Sequence, residues 1–410
     1  MFQSKLVPVD PDDIGLNRPL AWSIYDPYGR LLLRRGLVVD TPRLLEHLLS
    51  VGMKEATENA HVSNTANVVK VEAPFEQMEN VAARLSRLYQ SVRERPDHPE
   101  FIAMIGKIAD ALLACCAADG DAAFAVPHLD RHHNYETVHH LMAAVICARI
   151  VIAQQWGDEQ RRMAVSAVLT QDIALLPHRR LLDAEARLTA GQRLIVDRHP
   201  EEGVRWLERA GVRDESWLKC VRQHHRGCNG GGYPVDAEPL GVEARVAALA
   251  DTFSAMLRPR PYRGRIPATA ALADLYANTD GRYDAGFVNC LIREVGIFPP
   301  GSLVTLANGE CGIVVRNRPG QLYTPEVWVL ATAKGHQLMH PSLRDVADPD
   351  CAIVSLGRPE NCHSVMRSVA ALWDDARSQP AAPEPASAPD ADHAPPVPPP
   401  RAPQVAHATF

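Results

Sequence analysis

The sequence predicts a mainly α-helical protein, a helical bundle with a small β-containing N-terminal module and a short β appendage near the C-terminus. Three patterns lead to this prediction. Residues 130–300 follow helical periodicity with little strand character. Short apolar segments separated by a turn precede them, and a good hairpin signal follows them. A chain of 410 residues is long enough for two or three compact domains.

Residues 1–56 are predicted to form a small α+β module. Apolar strands at 21–25 and 31–33 are joined by a turn that contains Pro and Gly in suitable places. A helix then begins at Thr41-Pro42, because proline is favoured in the first helical turn.

Residues 57–129 are predicted to contain a linker followed by a helical hairpin. The segments 75–89 and 102–112 carry apolar residues at three- and four-residue spacing, and a proline-containing break at 96–99 separates them. The hairpin could form the outer layer of the central domain or pair with a second copy in a homodimer. The sequence leaves both alternatives open.

The central domain is predicted over residues 130–345, with the β appendage at 300–332. The appendage has an Asn-Gly pair between two apolar segments, a pattern typical of a β-hairpin. Residues 346–377 are predicted to be a helical extension. Residues 378–410 are rich in Pro and Ala and are expected to be disordered, because they cannot bury enough apolar surface to fold.

Composition and charge exclude several classes of protein. A content of 46% hydrophobic and 22% charged residues is ordinary for a soluble globular chain, and a net charge of -6 gives no support for DNA binding. No apolar run approaches the roughly 20 residues of a membrane helix, and residues 1–5 lack a signal-peptide core. The nine cysteines lie singly, apart from Cys115-Cys116, which favours reduced thiols. We therefore expect a cytoplasmic protein without membrane or DNA contacts.

The segment 223–234 carries the strongest chemical signal. His224 and His225 are adjacent and run into a glycine-dense loop that ends in Gly-Tyr-Pro. Adjacent histidines can offer imidazole nitrogens to metal ions, and successive glycines let backbone amides approach an anion closely. The alternative is a helix end followed by a flexible turn, which is common.

Four other positions supply His or Asp to the helical region. His139 begins an apolar helix, Asp172 ends another, His199 precedes a proline, and Asp251 is embedded in an apolar helix face. Taken singly, each could be a cap, a surface residue or the partner of a nearby arginine. Together they resemble the groups that converge from separate helices on a metal site in a bundle core.

Further short motifs extend this pattern: Leu188-Thr189, the Ala-Asp-Thr-Phe run at 250–253, and Arg260 at the start of an Arg-Pro-Tyr-Arg run. In order and spacing, residues 130–340 resemble the HD-GYP domain, a subfamily of metal-dependent HD phosphohydrolases that hydrolyse cyclic di-GMP in bacteria. The resemblance covers roughly half of the chain and implies the helical bundle of the HD superfamily.

The resemblance also implies roles for individual residues. Asp172 falls on the position that bridges two iron or manganese ions, which implies a catalytic role for it. If Gln171 is not a ligand, the resemblance implies only one ion. Arg260 falls where a basic residue contacts substrate phosphate, and Gly232, Tyr233 and Pro234 lie in the loop that covers the nucleotide. The implied metal ligands are His139, Asp172, His199, His224, His225 and Asp251.

The chain departs from the family pattern at five positions. Gln171 replaces the His of the His-Asp pair, and an amide oxygen is a poor ligand beside an imidazole. Leu175 stands where the family has a Lys. Arg226 replaces a Glu and Asn229 an Asp near the glycine-rich loop. Tyr135 stands where a Glu helps to hold a third metal in some members.

These departures leave two functions open. The chain could be a cyclic di-GMP phosphodiesterase with a weakened metal site, in which His178 or His140 could substitute for the lost ligand. Alternatively, it could be an inactive HD-GYP module that binds the nucleotide or docks a signalling partner such as a diguanylate cyclase. Since fold does not fix function, the sequence does not separate them.

Overall fold

The computed structural model describes residues 73–95, 98–182, 188–235, 238–259, 264–279, 281–356 and 372–373, and short stretches before residue 56 (6–9, 14, 19–20, 22–25, 31–39, 41, 44–45, 48–49 and 53–55). The chain divides into two compact units, Met1–Lys70 and Val71–Phe410. The predicted linker at 57–72 and the predicted disordered tail lie outside the described residues. The predicted domain boundaries stay predictions.

The first unit contains a four-stranded antiparallel sheet in the order β1-β4-β2-β3. The predicted pair of strands is confirmed, because Ile24 lies opposite Leu33 in this sheet. A small core that includes Val9, Val39 and Leu48 packs beside it. The strands are β1 (Leu6–Pro8), β2 (Ile24–Tyr25), β3 (Leu31–Leu33) and β4 (Met53–Glu55).

The second unit is mainly helical, which confirms the predicted fold class. Its helices enclose one large apolar core, and their interior faces carry the predicted periodic residues. The helices are α1 (Pro74–Glu94), α2 (Phe101–Ala118), α3 (Gly120–Leu129), α4 (Tyr135–Ala153), α5 (Asp158–Thr170), a 3-10 helix (Ile173–His178), α6 (Arg179–Leu182), α7 (Ala190–Arg209), α8 (Glu215–Gln223), α9 (Val242–Leu257), α10 (Ala268–Ala277) and α11 (Ala285–Val295).

The predicted hairpin of α1 and α2 packs into the same core as the central helices. α1 contacts α2, α3 and α4, and it buries residues such as Met78, Leu85 and Tyr89. Of the two alternatives left open by the sequence, the outer-layer packing is the one seen in this chain.

Helix α4 lies at the centre of the bundle, in contact with α5, α9 and α11. By length and composition, α2 and α4 could each cross a membrane, which the sequence analysis does not expect. However, 89% of the apolar window of α4 is buried inside the protein, as in a core helix of a globular domain. Because α4 is apolar on all sides, its few polar residues must be satisfied by neighbouring helices.

A five-stranded antiparallel sheet follows the helices in the order β8-β7-β6-β5-β9. The predicted hairpin is confirmed: Gly309, with a positive φ of 83°, lies in the turn between β5 and β6. Ile353–Leu356 pairs with β5, although we predict a helical extension at 346–377. The strands are β5 (Leu303–Leu306), β6 (Cys311–Arg318), β7 (Gln321–Ala331), β8 (Gln337–Arg344) and β9 (Ile353–Leu356).

Candidate metal centre

The side chains proposed as metal ligands converge from five elements of the helical unit. His139 lies near the start of α4, Asp172 lies between α5 and the 3-10 helix, and His199 lies in the middle of α7. His224 caps the end of α8, and Asp251 lies in α9. Contacts of α4 with α5 and α9, and of α7 with α8, bring these positions together in the buried interior.

One set of potential ligands, the α7/α8 group, consists of Asp172, His199, His224 and His225. Their ligand atoms all lie within 4.8 Å of one another. Oδ1 of Asp172 is 3.1 Å from Nε2 of His199 and 3.5 Å from Nε2 of His224, and the two imidazole nitrogens are 3.2 Å apart. Three electron-rich atoms thus face one small volume.

Local backbone structure sets the orientation of both imidazoles. Nδ1 of His199 is 2.5 Å from the carbonyl oxygen of Val196, and Nδ1 of His224 is 2.7 Å from that of Val221. Since a carbonyl only accepts, each Nδ1 carries the proton and donates it. Pro200 cannot donate to Val196, which leaves that carbonyl available inside the helix. The Val221 carbonyl is available because α8 ends there.

A second set, the α4 group, consists of His139, His140 and Asp172. Oδ2 of Asp172 is 3.1 Å from Nε2 of His140, so the two carboxylate oxygens of Asp172 face different histidines. Asp172 therefore belongs to both groups, as a carboxylate that bridges two ions must.

Residues of α9 orient His139 from the opposite side. The Ser254 hydroxyl donates to the carbonyl of His139 at 2.9 Å, and its oxygen lies 2.9 Å from Nδ1 of the same residue. The other ring nitrogen, Nε2, is 3.0 Å from Oδ1 of Asp251. With Nδ1–H directed at Ser254, the lone pair of Nε2 faces a carboxylate, and a cation between them would relieve this contact.

Gln171, the main departure from the family pattern, contacts the same carboxylate. Its amide nitrogen donates to Oδ1 of Asp251 at 2.8 Å. Its amide oxygen is buried and has no hydrogen-bond partner among the described residues. The side chain therefore holds Asp251 in place with one end and leaves an unpaired acceptor at the other, which is costly in a buried position.

The electrostatics of the centre favour a positive charge. Burial raises the pKa of the Asp172 carboxyl, but its close contacts with the imidazoles of His140, His199 and His224 outweigh burial and bring the pKa well below its usual range. Burial lowers the pKa of His224, but the hydrogen bond and charge of Asp172 prevail and raise it. In contrast, burial and the neighbouring His224 hold the pKa of His225 well below its usual value.

These residues fit divalent metal ions. Imidazole nitrogens and carboxylate oxygens suit zinc, iron and manganese, and a second partner fixes the other ring nitrogen of His139, His199 and His224. Acceptor atoms without a hydrogen-bond donor among the described residues, including Oδ1 of Asp172, face the centre. The cluster can hold a metal ion, although the individual ligand assignments stay predictions.

The glycine-rich loop brings Tyr233 onto the centre. Gly232 has a positive φ of 93°, and a Cβ there would lie 2.0 Å from the carbonyl oxygen of His225, so only glycine fits. The ring of Tyr233 consequently packs on His225, with the ring centroids 4.7 Å apart. The peptide bond from Tyr233 to Pro234 is cis. Whether Gly232, Tyr233 and Pro234 contact a nucleotide stays a prediction.

Two of the departures near this loop are accommodated by its backbone. The Asn229 side-chain oxygen accepts from the amide of Gly231 at 3.0 Å, a contact that an aspartate would also make. The Arg226 guanidinium donates to the carbonyl of Glu238 at 2.9 Å, on the exposed side of the loop. Neither substitution disturbs the two groups.

Other positions named by the sequence lie apart from the centre or beyond the described residues. Arg260 lies outside the described residues. His178 is exposed at the end of the 3-10 helix and is not part of either group. His140, the second proposed substitute, does reach Asp172. Leu175 is buried and lines a pocket beside the α4 group, together with Tyr135.

Three residues at the centre have no role in the sequence analysis. Ser254 orients His139, and its spacing of three from Asp251 on α9 is a signal that both face one side. Tyr89 of α1 meets the His140 ring edge-on, with centroids 5.4 Å apart. Arg179 lies over the Tyr135 ring. No sequence signal links Tyr89 to α4, because their contact depends on helix packing.

The chain is similar to several known proteins. Residues 124–286 match the family model of the HD domain. The chain is 26% identical over 230 residues to a cyclic di-GMP phosphodiesterase of Pseudomonas aeruginosa, covering 55% of each chain. It is 32% identical over 150 residues to a cyclic di-GMP phosphodiesterase response regulator of Xanthomonas campestris pv. campestris, covering 35% of this chain and 39% of that protein.

A 3'3'-cGAMP-specific phosphodiesterase of Vibrio cholerae is 21% identical over 170 residues, covering 40% of this chain and 39% of that protein. The chain thus spans about half of the first relative's length and about two fifths of the other two. A solved HDG"Y"P protein from Bdellovibrio bacteriovorus aligns with a TM-score of 0.48 and 14% identity, covering 70% of this chain and 98% of that one. Through the family match over residues 124–286 and these relatives, the chain contains an HD domain and resembles proteins of the HD-GYP type.

Proposed function

We propose that this chain hydrolyses phosphodiester bonds of the cyclic dinucleotide cyclic di-GMP at a centre of two divalent metal ions, either iron or manganese. The observation that carries the proposal is the position of Asp172. Its Oδ1 faces His199 and His224, and its Oδ2 faces His140, so one carboxylate serves two groups of ligands. Two of the relatives are named cyclic di-GMP phosphodiesterases, which supports the choice of substrate.

Two divalent cations held there would supply Lewis-acid activation of water and neutralise phosphate charge during an in-line displacement at phosphorus. The chain's own residues provide the rest. His199 and His224 keep their Nε2 lone pairs aimed inward because their Nδ1 protons are held by backbone carbonyls. Tyr233 covers the α7/α8 group and excludes water from one side. Arg260 is proposed to bind phosphate.

The second candidate is an inactive module that binds cyclic di-GMP or docks a signalling partner such as a diguanylate cyclase. The observation that favours this candidate is the hydrogen bond that the Gln171 amide donates to Asp251. At position 171 the family has a histidine, whose imidazole could bind a metal ion. Leu175 adds an apolar wall to the same side of the centre. Under this proposal the α7/α8 group holds one ion, and turnover is lost. Both candidates place the protein in the bacterial cytoplasm.

Metal analysis combined with turnover and binding measurements separates the two candidates. The purified protein is loaded with manganese or with iron under reducing conditions, and cyclic di-GMP and its linear product are followed by chromatography. Hydrolysis with about two ions per chain supports the enzyme. Binding without product, at about one ion per chain, supports the inactive module.

Asp172→Asn is the critical variant, and Asp158→Asn, at an exposed position on α5, is its matched control. Because Asp172 serves both groups, its replacement should remove both ions and abolish turnover, while the control retains them. The loss of a direct metal ligand should reduce metal affinity by more than the roughly 10- to 100-fold that is typical when a residue supporting a ligand is lost. Full metal content and unchanged turnover in Asp172→Asn would refute the proposed centre.

A further inference from the structure

The imidazole of His140 makes a polar contact through only one of its ring nitrogens. Nε2 lies 3.1 Å from Oδ2 of Asp172. Nδ1 is buried and has no hydrogen-bond partner among the described residues. A metal-binding imidazole usually directs its other ring nitrogen at a carbonyl, a carboxylate or water, and that contact fixes the orientation of the ring. For His140, packing against neighbouring side chains has to fix it instead.

Tyr89 of α1 provides this packing. Its side chain is buried, and its ring meets the His140 ring at an angle of 89° with the centroids 5.4 Å apart. Aromatic rings favour such an edge-to-face arrangement. The ring of His139 also lies beside His140, with centroids 5.2 Å apart, but His139 is itself a potential ligand. Tyr89 therefore supports the His140 ring from outside the two groups.

The hydroxyl of Tyr89 anchors the tyrosine side chain to a different helix. It donates to the carbonyl of Leu169 at 2.5 Å, a buried hydrogen bond between residues 80 positions apart. Leu169 lies in the last turn of α5, where carbonyls lack a donor from their own helix. One side chain of α1 thus contacts α4 through its ring and the end of α5 through its hydroxyl.

These contacts form a closed circuit around the α4 group. Tyr89 contacts the ring of His140, and Nε2 of His140 faces Oδ2 of Asp172. Asp172 follows Leu169 by three residues, and the Leu169 carbonyl accepts the hydrogen bond from Tyr89. A rotation that turned Nε2 of His140 away from Asp172 would displace the Tyr89 ring, and the hydrogen bond to Leu169 opposes that displacement. The geometry of the α4 group therefore depends on a helix that contributes no member to it.

We propose that Tyr89 is a positioning residue, which holds His140 as a ligand of the α4 group and thereby sets the affinity of that group for a metal ion. The inference rests on the proposed metal centre, but it is independent of the substrate. It also gives the α4 group an imidazole that replaces the one missing at position 171. His140 is then the third ligand beside His139 and Asp172.

The test titrates the metal-free full chain with manganese and measures the free ion by electron paramagnetic resonance. His140→Ala identifies the manganese site that contains His140 as the one it weakens. Tyr89→Leu should weaken the same site by about tenfold, the lower end of the loss that is typical when a residue supporting a ligand is lost. Tyr89→Phe keeps the ring and should recover most of this affinity. The site of the α7/α8 group should bind equally in all of these proteins.

A double variant separates positioning of His140 from a general effect on the centre. Because the ring that Tyr89 contacts is absent in His140→Ala, adding Tyr89→Leu to it should weaken manganese binding no further. If Tyr89 acted mainly on Asp172 through the end of α5, the double variant would also lose affinity at the α7/α8 group, and the proposed role would be wrong.

Phe101→Leu is the matched control for the loss of a core aromatic ring. Phe101 of α2 is also fully buried, and it meets the Trp206 ring at 83° with the centroids 4.8 Å apart. The control should lower the free energy of unfolding, as Tyr89→Leu does, without changing manganese affinity. If Tyr89→Leu does not fold, Tyr89→Met takes its place, because methionine fills the volume without a ring.

The outcomes distinguish this inference from the proposed function. If manganese binding depends on Tyr89 and His140 as expected but cyclic di-GMP is not hydrolysed, the phosphodiesterase fails while the role of Tyr89 stands. Hydrolysis by the wild type, together with equal manganese affinity in wild type and Tyr89→Leu, overturns the role of Tyr89 alone. Manganese binding that His140→Ala leaves unchanged, or an equal loss in Phe101→Leu, overturns it as well.

Discussion

On one side of Asp172, His199 and His224 are each held by a backbone carbonyl of their own helix. On the other side, His139 is held by Ser254, which lies 115 residues away along the chain. The first arrangement needs only a helix interrupted by Pro200 and a helix end. The second needs α4 and α9 to pack in one register. The departures Gln171, Leu175 and Tyr135 all contact this second side.

The contrast suggests why the two groups tolerate substitution differently. A locally anchored imidazole keeps its orientation when a neighbouring residue changes, because its partner belongs to its own helix. An imidazole anchored across helices shares partners with other side chains, as Oδ1 of Asp251 is shared by His139 and Gln171. We therefore expect the α7/α8 group to bind its ion more tightly than the α4 group.

The largest expected effect comes from removing one histidine from each group. His224→Gln should abolish the tighter metal site, with a loss of more than about 100-fold in affinity. His139→Gln should leave that site and remove only the weaker one. Chelator titration followed by metal analysis measures both. If His139→Gln removes the tighter ion, the order of the two groups is reversed.

A smaller effect is expected when the anchor across the helices is removed. Ser254→Ala leaves His139 without its hydroxyl partner, and loss of such a supporting residue typically costs about 10- to 100-fold in metal affinity. The control is Ser91→Ala in α1. The Ser91 hydroxyl donates a hydrogen bond to the carbonyl of Leu88 in its own helix. An unchanged weaker site in Ser254→Ala would show that packing alone orients His139.

Gln171→His tests whether the α4 group is limited by a missing ligand. An imidazole next to Asp251 should raise the metal content towards two ions per chain and increase the hydrolysis of cyclic di-GMP by about tenfold, the lower end for a supporting residue. Gln171→Asn controls for any change of the side chain. A variant with two ions and no gain in turnover would place the defect at Leu175 instead.

The smallest expected effect is the contribution of His128 to the pH dependence of the free energy of unfolding. Burial, together with Arg265, Arg258 and Arg131, holds the pKa of His128 well below its usual value of 6.5. Below pH 6.5 the unfolded chain binds a proton at His128 that the folded chain does not, so the free energy of unfolding falls as the pH falls. Each unit of difference in pKa is worth about 1.4 kcal/mol.

His128→Gln should therefore flatten the acid side of the stability profile of the metal-free protein by about 1 kcal/mol or more. Chemical denaturation between about pH 4.5 and 7 measures it. The residual slope then belongs to the other groups whose pKa changes on folding. An identical slope in wild type and variant would show that His128 has the same pKa in the folded and unfolded chains.

Much of the fold could be predicted from periodicity. The helical body, the hairpin pattern of α1 and α2, and the β5–β6 turn all follow from apolar spacing and from Gly309. The strand Ile353–Leu356 was not predicted, because it is short and forms only by pairing with β5, which lies 47 residues earlier at Leu306. Long-range pairing of this kind has no local signal.

Within the candidate centre, the sequence by itself determined which imidazoles and carboxylates are available and how His199, His224 and Gly232 are oriented. Those features depend on hydrogen bonds between residues a few positions apart and on one backbone conformation. Only the tertiary structure decided that Gln171 donates to Asp251 and that the Arg179 guanidinium lies over the Tyr135 ring. Such contacts depend on how helices pack, and packing is set by the whole apolar core rather than by any one segment.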